Sequence, residues 1–431
     1  MKTATALALL FCASAFAQSN SRGVADKSVA FQQIAEITGT QLGSAFGSAV
    51  AVSGNTMVVG AGLSSVGCGG CGAAYVFLKT GGDWSNPTLV ATLTQTGGTI
   101  YGGFGGSVAI SGNTIVVGGS APEGGAAFVF VEPEDGWTDM TQTAELTVTE
   151  SGIGVGGPPV VAIDGDTIVA GYLFASIYGT KGEQGSAYVY VEPEGGWVNM
   201  TQTAELVGTD QRGLYWFGQS VAISGRHIAV GAPQAQIKGV KQGSAYLFTE
   251  PTSGWSGVSA QTTEFTGSDS TRNGRFGQSI SLSGDTVAVG APYEQIGASQ
   301  GAVYVYARPS TGWPKSMTQT AELSVSKGGG GAALGFSLAI ASGIVLTGAI
   351  GVQDYQGVGW IFLEPPGGWT NATTAEEIRA SDAAASDVFG DSVAIGDGVL
   401  VVGADEYSSE GVENGAAYIF AESTRKLTSG F

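Results

Sequence analysis

The sequence predicts an all-β fold assembled from seven copies of one unit. An apolar triplet recurs every 53 to 60 residues, and a glycine follows each triplet at a fixed distance. A second motif of the type Gly-Ala-Ala-Tyr-Val-Phe comes after each glycine, beyond a loop of variable length. Glycine accounts for 72 of the 431 residues, which suits many tight turns and closely packed backbones.

The triplet and the glycine lie on the first two strands of the unit. Their apolar runs are joined by Ser-Gly-Asn, Ser-Gly-Asp or Asp-Gly-Asp in most copies, and a glycine with positive φ in a two-residue loop makes a hairpin. The triplets begin at Val50, Val108, Val161, Val221, Ile280, Leu338 and Val393, and the glycines are Gly60, Gly118, Gly171, Gly231, Gly290, Gly348 and Gly403.

The second motif supplies a third strand. A turn of the Glu-Pro-x-x-Gly-Trp type follows it, and a short segment such as Ala144-Glu145-Leu146 gives a fourth strand. Only six such segments follow a Trp turn, whereas a seventh, Ala35-Glu36-Ile37, precedes the first unit. This offset is what a ring closed by its own N-terminal strand requires. The sequence therefore predicts a seven-bladed β-propeller of four-stranded blades, with the N-terminal strand completing the last blade.

The repeats also divide the chain. Residues 1–17 are predicted to be a signal peptide, because Lys2 precedes an apolar run that ends in the small-x-small site Ala15-Phe16-Ala17. An N-terminal segment follows at 18–30, then the propeller at 31–422 and a tail at 423–431. No further stretch has 18 uninterrupted apolar residues, so no membrane span is expected. Secretion to the extracellular space or cell wall is predicted; the alternative is a plastid, reached through a bipartite presequence.

The charge and the cysteines narrow the classes of function. A net charge of -19 repels phosphate backbones, which argues against a nucleic-acid partner. Cys68 and Cys71 form the motif Cys-Gly-Gly-Cys. A metal site would need further ligands, and the chain has only one histidine, His227, to add to these two cysteines. The pattern favours a small loop disulfide over a metal site or a redox pair. Asn199 and Asn371 begin Asn-x-Thr sequons and are predicted glycosylation sites in a eukaryotic cell.

Two short motifs connect the repeats to a known family. Phe-Gly precedes the triplet at Phe46, Phe104, Phe217, Phe276 and Phe389, and Gly-Ala-Pro stands at Gly231 and Gly290. The sequence thus resembles the FG-GAP repeat family, the blade type of the integrin α-subunit propeller, over about residues 31 to 422. Blade three lacks the Phe-Gly, and blade six has Leu334-Gly335 instead. The resemblance implies a propeller that acts in binding or adhesion.

Calcium and other cofactors are not expected. Integrin blades that bind calcium carry a long, Asp-rich loop between their first two strands, whereas most copies here have a tight hairpin. Such a hairpin leaves no room for the 6 to 8 oxygen ligands that calcium prefers.

Binding is the favoured function, because one histidine and no fixed pair of carboxylates provide no catalytic constellation. An extracellular protein or an anionic polysaccharide would engage the face that carries the variable loops. Basic and aromatic residues cluster in these loops of blades three to five, and the predicted ligand-binding residues are Lys181, Arg212, Tyr215, Trp216, Lys238, Lys241, Arg272, Arg275 and Tyr293. The alternatives are a carboxylate-dependent glycan-active enzyme and a structural wall or matrix protein without a discrete ligand.

Overall fold

The fold is known from a computed structural model, which describes residues 30–41, 43–66, 69–122, 124–148, 157–173, 175, 184–208, 216–296, 299–326, 332–406, 408–409 and 412–423. Within these ranges the antiparallel pairings group the strands into seven sets of four, called blades 1 to 7 in chain order, and parallel pairings extend several of the sheets. The inner strands contact one another in sequence, and the first also contacts the last, which closes a ring.

Each blade has an inner, a second, a third and an outer strand. The inner strands are Phe46–Ser53, Val108–Ser111, Val160–Asp164, Ser220–Ser224, Ser279–Ser283, Leu334–Ala341 and Val393–Gly396. The second strands are Thr56–Ala61, Thr114–Ala121, Thr167–Tyr172, His227–Ala232, Thr286–Ile296, Ile344–Ala349 and Val399–Ala404. The third strands are Ala73–Thr80, Gly124–Val131, Ser186–Val191, Ser244–Thr249, Ser299–Ala307, Gly359–Leu363 and Ala416–Glu422.

The outer strands are Asp83–Thr94, Ala144–Thr147, Ala204–Val207, Thr263–Thr266, Ala321–Leu323, Glu376–Ile378 and, in blade 7, Phe31–Thr38. The last of these is the N-terminal strand, which pairs antiparallel with Ala416–Glu422. Two short hairpins lie outside the blades, formed by Gln236–Ile237 with Val240–Lys241 and by Ser408–Ser409 with Val412–Glu413. The hydrophobic core lies between blades, since each core cluster of the described residues joins two neighbours.

A fifth strand, which the sequence did not predict, covers four of the blades. In blades 2 to 5, the segment after the Trp turn pairs parallel with the outer strand of the preceding blade. These strands are Met140–Thr141, Met200–Thr201, Gly257–Ala260 and Ser316–Thr318. Polar side chains extend the pairing, because the Asp139 Oδ1 accepts a hydrogen bond from the Thr92 N–H at 2.7 Å. Covered edges of this kind are protected from pairing with other chains.

The joint between blades depends on the glycine that the repeat fixes in each second strand. A Cβ on Gly231 would overlap the carbonyl oxygen of Gly277, which belongs to the Phe-Gly of the next blade. The Ser220 hydroxyl donates to the same oxygen at 2.9 Å. The joint recurs around the ring and closes it, because Gly403 lies equally close to Gly47. Close approach to one carbonyl therefore explains the fixed glycine.

The two blades without Phe-Gly fill the missing volume differently. Blade 4 has the Phe-Gly and serves as the comparison, since its Phe217 packs on Tyr246 with ring centroids 5.8 Å apart. In blade 3, Tyr172 packs on Tyr188 at the same 5.8 Å, and it comes from the second strand, at the position of the alanine in Gly-Ala-Pro. In blade 6, the smaller Leu334 shares a core cluster with Trp360, at the position of a tyrosine or phenylalanine in the other blades. Each lost phenylalanine is thus matched by a larger residue nearby.

The Trp turns connect each blade with the one before it. Trp313 of blade 5 contacts Phe265 and His227 of blade 4, with ring centroids 5.6 and 6.3 Å apart. Trp84 of blade 1 donates from Nε1 to the Asp397 Oδ2 of blade 7 at 3.1 Å. Six blades carry such a tryptophan: Trp84, Trp137, Trp197, Trp255, Trp313 and Trp369. Blade 7 has none, because no tryptophan follows its third strand, which ends at Glu422.

Replacing Gly231 with alanine should lower the free energy of unfolding by about 1 to 3 kcal/mol, because the added Cβ would overlap a backbone carbonyl that cannot move freely. Chemical denaturation measures this change. Gly69→Ala is the matched control, since nothing lies within 4 Å of its Cβ and its φ is not positive. Equal stability of the two variants would contradict the proposed joint.

Candidate ligand-binding site

The loops of the propeller lie on two faces. The loops between second and third strands share one face with the connections to the next inner strand, and this is called the variable-loop face. The short hairpins and the Trp turns share the opposite face, called the hairpin face. Since the hairpin turns have two central residues, with Gly54 at φ 55° in blade 1 as the example, the variable loops contain most of the sequence differences between blades.

The residue before each Phe-Gly has an unusual backbone conformation. Its φ is positive in all five blades that have the motif, at Ala45, Gly103, Trp216, Arg275 and Val388, and also at Ala333 before the Leu334-Gly335 of blade 6. A left-handed conformation costs a residue other than glycine about 1 to 2 kcal/mol. The conformation belongs to the repeat, and in blades 4 and 5 it is adopted by the large side chains Trp216, at φ 67°, and Arg275, at φ 56°.

Arg275 lies between two aromatic rings. Its guanidinium carbon is 4.7 Å from the centroid of Tyr293 and 5.6 Å from that of Trp216, and both distances are typical of cation–π contacts. These three half-buried residues form what we call the Arg275 cluster. In the described part of the chain, no carboxylate lies within ion-pair distance of Arg275. Both aromatic rings contact the guanidinium, whose N–H groups are hydrogen-bond donors.

The loops around this cluster are fixed by a buried carboxylate and by backbone hydrogen bonds. Glu294 is fully buried, and its two oxygens accept the Thr271 N–H at 2.9 and 3.0 Å. The Tyr293 N–H donates to the Gly274 carbonyl at 3.2 Å, and the Asn273 N–H donates to the Lys241 carbonyl at 2.6 Å. Three loops are thereby held together, which makes the site preorganised.

The predicted binding residues are only partly brought together. Trp216, Arg275 and Tyr293 are in contact. Lys241 lies beside their loop through its backbone, whereas Lys238 and Arg272 are exposed. Lys181, Arg212 and Tyr215 lie outside the described residues, as does Cys68 of the predicted disulfide. Cys71 is disulfide-bonded.

Two groups of carboxyls on the same face were not predicted. In blade 5, the Tyr304 hydroxyl donates to the Asp269 Oδ1 at 2.9 Å, and burial together with Asp269 raises the pKa of Glu322. In blade 7, Asp391 follows the Phe-Gly and Asp405 takes the position of the proline in Gly-Ala-Pro. Burial and the charge of Asp405 raise the pKa of Asp391 to about 8. The signal in the sequence was an acidic residue at two motif positions that other blades fill with neutral ones.

Comparison with known proteins identifies the family. A sequence profile of the FG-GAP repeat matches residues 39–77, 87–130, 200–248, 260–306 and 373–420, together more than half of the chain. The chain belongs to the FG-GAP repeat family.

The fold of this FG-GAP protein is similar to that of a solved propeller, described as "Structure of Dos1 propeller", with a TM-score of 0.50. The two share 10% identity, and the match covers 91% of this chain and 95% of the other. The predicted all-β propeller is thereby confirmed. No curated protein matches the sequence. No helix in the described ranges is long and apolar enough to span a membrane.

Other predicted positions of the FG-GAP propeller have structural contacts. Asn199 and Asn371 are exposed, and each side-chain oxygen accepts a 2.9 Å hydrogen bond from the outer strand of the preceding blade, at the Glu145 and Glu322 N–H groups. A glycan on Nδ2 would leave these oxygens available. His227 is half-buried with Nδ1 3.1 Å from the Thr249 hydroxyl. Among the described residues, no group of three or more His, Cys, Asp or Glu could hold a metal ion.

The stability of the propeller should depend on Asp391. Between pH 4 and pH 8 the folded state retains a proton on Asp391 that the unfolded chain has lost, so the free energy of unfolding falls as the pH rises. Over this window Asp391 should contribute a decrease on the order of 3 to 5 kcal/mol. Asp391→Asn keeps a neutral group at every pH, so urea denaturation should show a flatter profile.

Asp285→Asn is the control, because Asp285 is exposed and ion-paired with Arg308 on the hairpin face. If the profiles of the parent protein and of Asp391→Asn had the same slope, the raised pKa of Asp391 would be wrong.

Proposed function

We propose that this FG-GAP propeller is a secreted, non-catalytic binding module of the adhesion type. It binds an anionic group, on an extracellular protein or a polysaccharide, at the Arg275 cluster. The observation that supports this most is a guanidinium between two aromatic rings, without a carboxylate partner among the described residues, on a chain of net charge -19. In so acidic a chain, a half-buried arginine without an ion pair among the described residues supports an external partner.

The chemistry of the cluster suits a planar or tetrahedral oxyanion. Arginine offers a fixed fork of N–H donors that pairs with carboxylate or sulfate oxygens. Trp216 and Tyr293 hold the fork in place and reduce its hydration, so less freedom is lost on binding. Arginine, tryptophan and tyrosine are also the residues most enriched at the energetic centres of interfaces.

Substitution of Arg275 tests the proposal. Arg275→Ser, alone and with Arg212→Ser and Arg272→Ser, should weaken binding at least about tenfold, because a charged hydrogen bond contributes about 1.5 to 3 kcal/mol. Binding is measured on an array of uronate-containing and sulfated polysaccharides and of matrix proteins. Arg275→Lys keeps the charge but loses the fork of N–H donors, so its affinity should lie between those of the parent protein and of Arg275→Ser.

Arg308→Ser is the matched control, since Arg308 is ion-paired with Asp285 on the hairpin face. It should bind like the parent protein, and thermal melting should show that all variants are folded. Unchanged array binding by the Arg275 variants would refute the assignment of the site. An array without any binding would favour the alternative of a structural wall or matrix protein.

A carboxylate-dependent glycan-active enzyme is the second candidate, and Asp391 is the observation that favours it. A carboxyl with a pKa of about 8 beside a second carboxyl, Asp405, is an arrangement that general acid catalysis uses. Incubation with a polysaccharide panel should nevertheless give no new reducing ends or unsaturated products. Products that disappear in Asp391→Asn would establish the enzyme instead.

We also propose that the propeller needs no calcium. The hairpins between inner and second strands have two central residues, which cannot supply the ligands of an integrin-type site. Addition of millimolar calcium, or of a chelator, should therefore shift the melting temperature by less than about 1 °C. A clear stabilisation by calcium would contradict this expectation.

A further inference from the structure

Blade 7 leaves an open groove on the hairpin face. The groove has a volume of about 600 Å³ and lies between blades 6 and 7. It is lined by the blade 6 hairpin at Ser342 to Ile344, by Leu363 and the turn that follows it, and by Glu422 of blade 7. Each of the six other junctions between blades contains a tryptophan from a Trp turn, and this junction does not.

Two apolar residues in the groove lack the cover that their counterparts have. Ile344 takes the position in blade 6 that His227 takes in blade 4, where Trp313 contacts it. Leu363 corresponds to Leu78 and Val131, which pack against the core clusters containing Trp137 and Trp197. Leu363 itself is 42% exposed. The groove therefore contains two apolar side chains, Ile344 and Leu363, at a junction that lacks the tryptophan of the repeat.

The register of the repeat indicates which residue could occupy it. In six blades the tryptophan is the twelfth residue after the glycine that begins the second motif, as in Gly243 to Trp255. In blade 7 the twelfth residue after Gly415 is Leu427, in the C-terminal tail. Counting back from the N-terminal strand instead gives the polar Ser28. The C-terminal tail thus offers the apolar side chain at the same chain distance.

The charge of the C-terminal tail and the distance that it can span agree with this assignment. The groove carries Glu364 and Glu422, and the tail carries Arg425 and Lys426 just before Leu427. The last described residue, Ser423, lies beside the groove, because its N–H donates to the Ala30 carbonyl at 2.7 Å and it directly follows Glu422. Four residues extend at most about 13 to 14 Å, enough to cross from one blade to the next.

We propose that residues 424–431 dock in this groove, with Leu427 in the place of the seventh tryptophan. The occupant is this chain's own tail, and docking joins blade 7 to blade 6 on the hairpin face. The docked tail would thus add a second contact at the closure of the ring, besides the pairing of the N-terminal strand with the third strand of blade 7. This interaction is independent of the Arg275 cluster on the opposite face.

Substitution at Leu427 tests the docking by thermal melting. Leu427→Trp restores the repeat and should raise the melting temperature by about 1 to 3 °C, and Leu427→Asp or truncation after Ser423 should lower it by a similar amount. Thr428→Trp is the matched control and should leave it unchanged. Truncation should also speed amide exchange in the strand Ile344–Ala349.

A cross-link provides a readout that does not depend on stability. Leu363→Cys combined with Leu427→Cys should form a disulfide within one chain, whereas Val258→Cys with Leu427→Cys should not, because Val258 is exposed on a distant blade. If truncation changed neither melting nor exchange and no cross-link formed, the proposal would be wrong. Cross-linked dimers, or association that truncation abolishes, would also overturn it by placing the tail on a second copy.

Discussion

The contact between a glycine and a carbonyl of the next blade is the constraint on which the ring depends. At Gly231 the backbone of one blade comes so close to the Gly277 carbonyl that no side chain fits. The Ser220 hydroxyl then satisfies that buried oxygen. Since the same joint closes the ring between Gly403 and Gly47, it sets the angle between blades wherever it occurs. The glycine recurs along the chain at these positions because a Cβ would overlap the carbonyl of the next blade.

Around this joint, the remaining packing is adjustable. Tyr172 replaces a missing phenylalanine from another strand, and Leu334 is accommodated by the larger Trp360. Both exchanges keep the volume of the core and leave the glycine joint unchanged, as close-packed interiors require. The loops can therefore vary without changing the geometry of the face that presents them.

The sequence predicted those features that are local and periodic. The hairpins, the third strands and the closing strand at Ala35 each follow from short patterns that recur in register. The fifth strands could not be predicted, because their pairing joins residues of different blades, such as Leu146 with Met200. For the Arg275 cluster, the sequence predicted that basic and aromatic residues lie in the variable loops, but not which of them are in contact. The contacts of the cluster depend on the angle between blades 4 and 5, which no local pattern shows, although the left-handed backbone at Trp216 and Arg275 recurs before each Phe-Gly. Asp391 and Asp405 lie at the open end of the hairpin formed by Val393–Gly396 and Val399–Ala404, so their proximity follows from a local pairing, whereas the burial that raises the pKa of Asp391 depends on the rest of the fold.

The pairing of the two chain ends has a mechanical consequence. Phe31 pairs with Glu422, so both ends of the propeller leave blade 7 at one end of the same strand pair. A tension applied between the two termini would open this pair from its end, one hydrogen bond at a time. A force applied between one terminus and the variable-loop face would instead be spread over blades that interlock through their fifth strands. The direction of pulling, rather than the equilibrium stability of the ring, would then decide how much force the propeller resists.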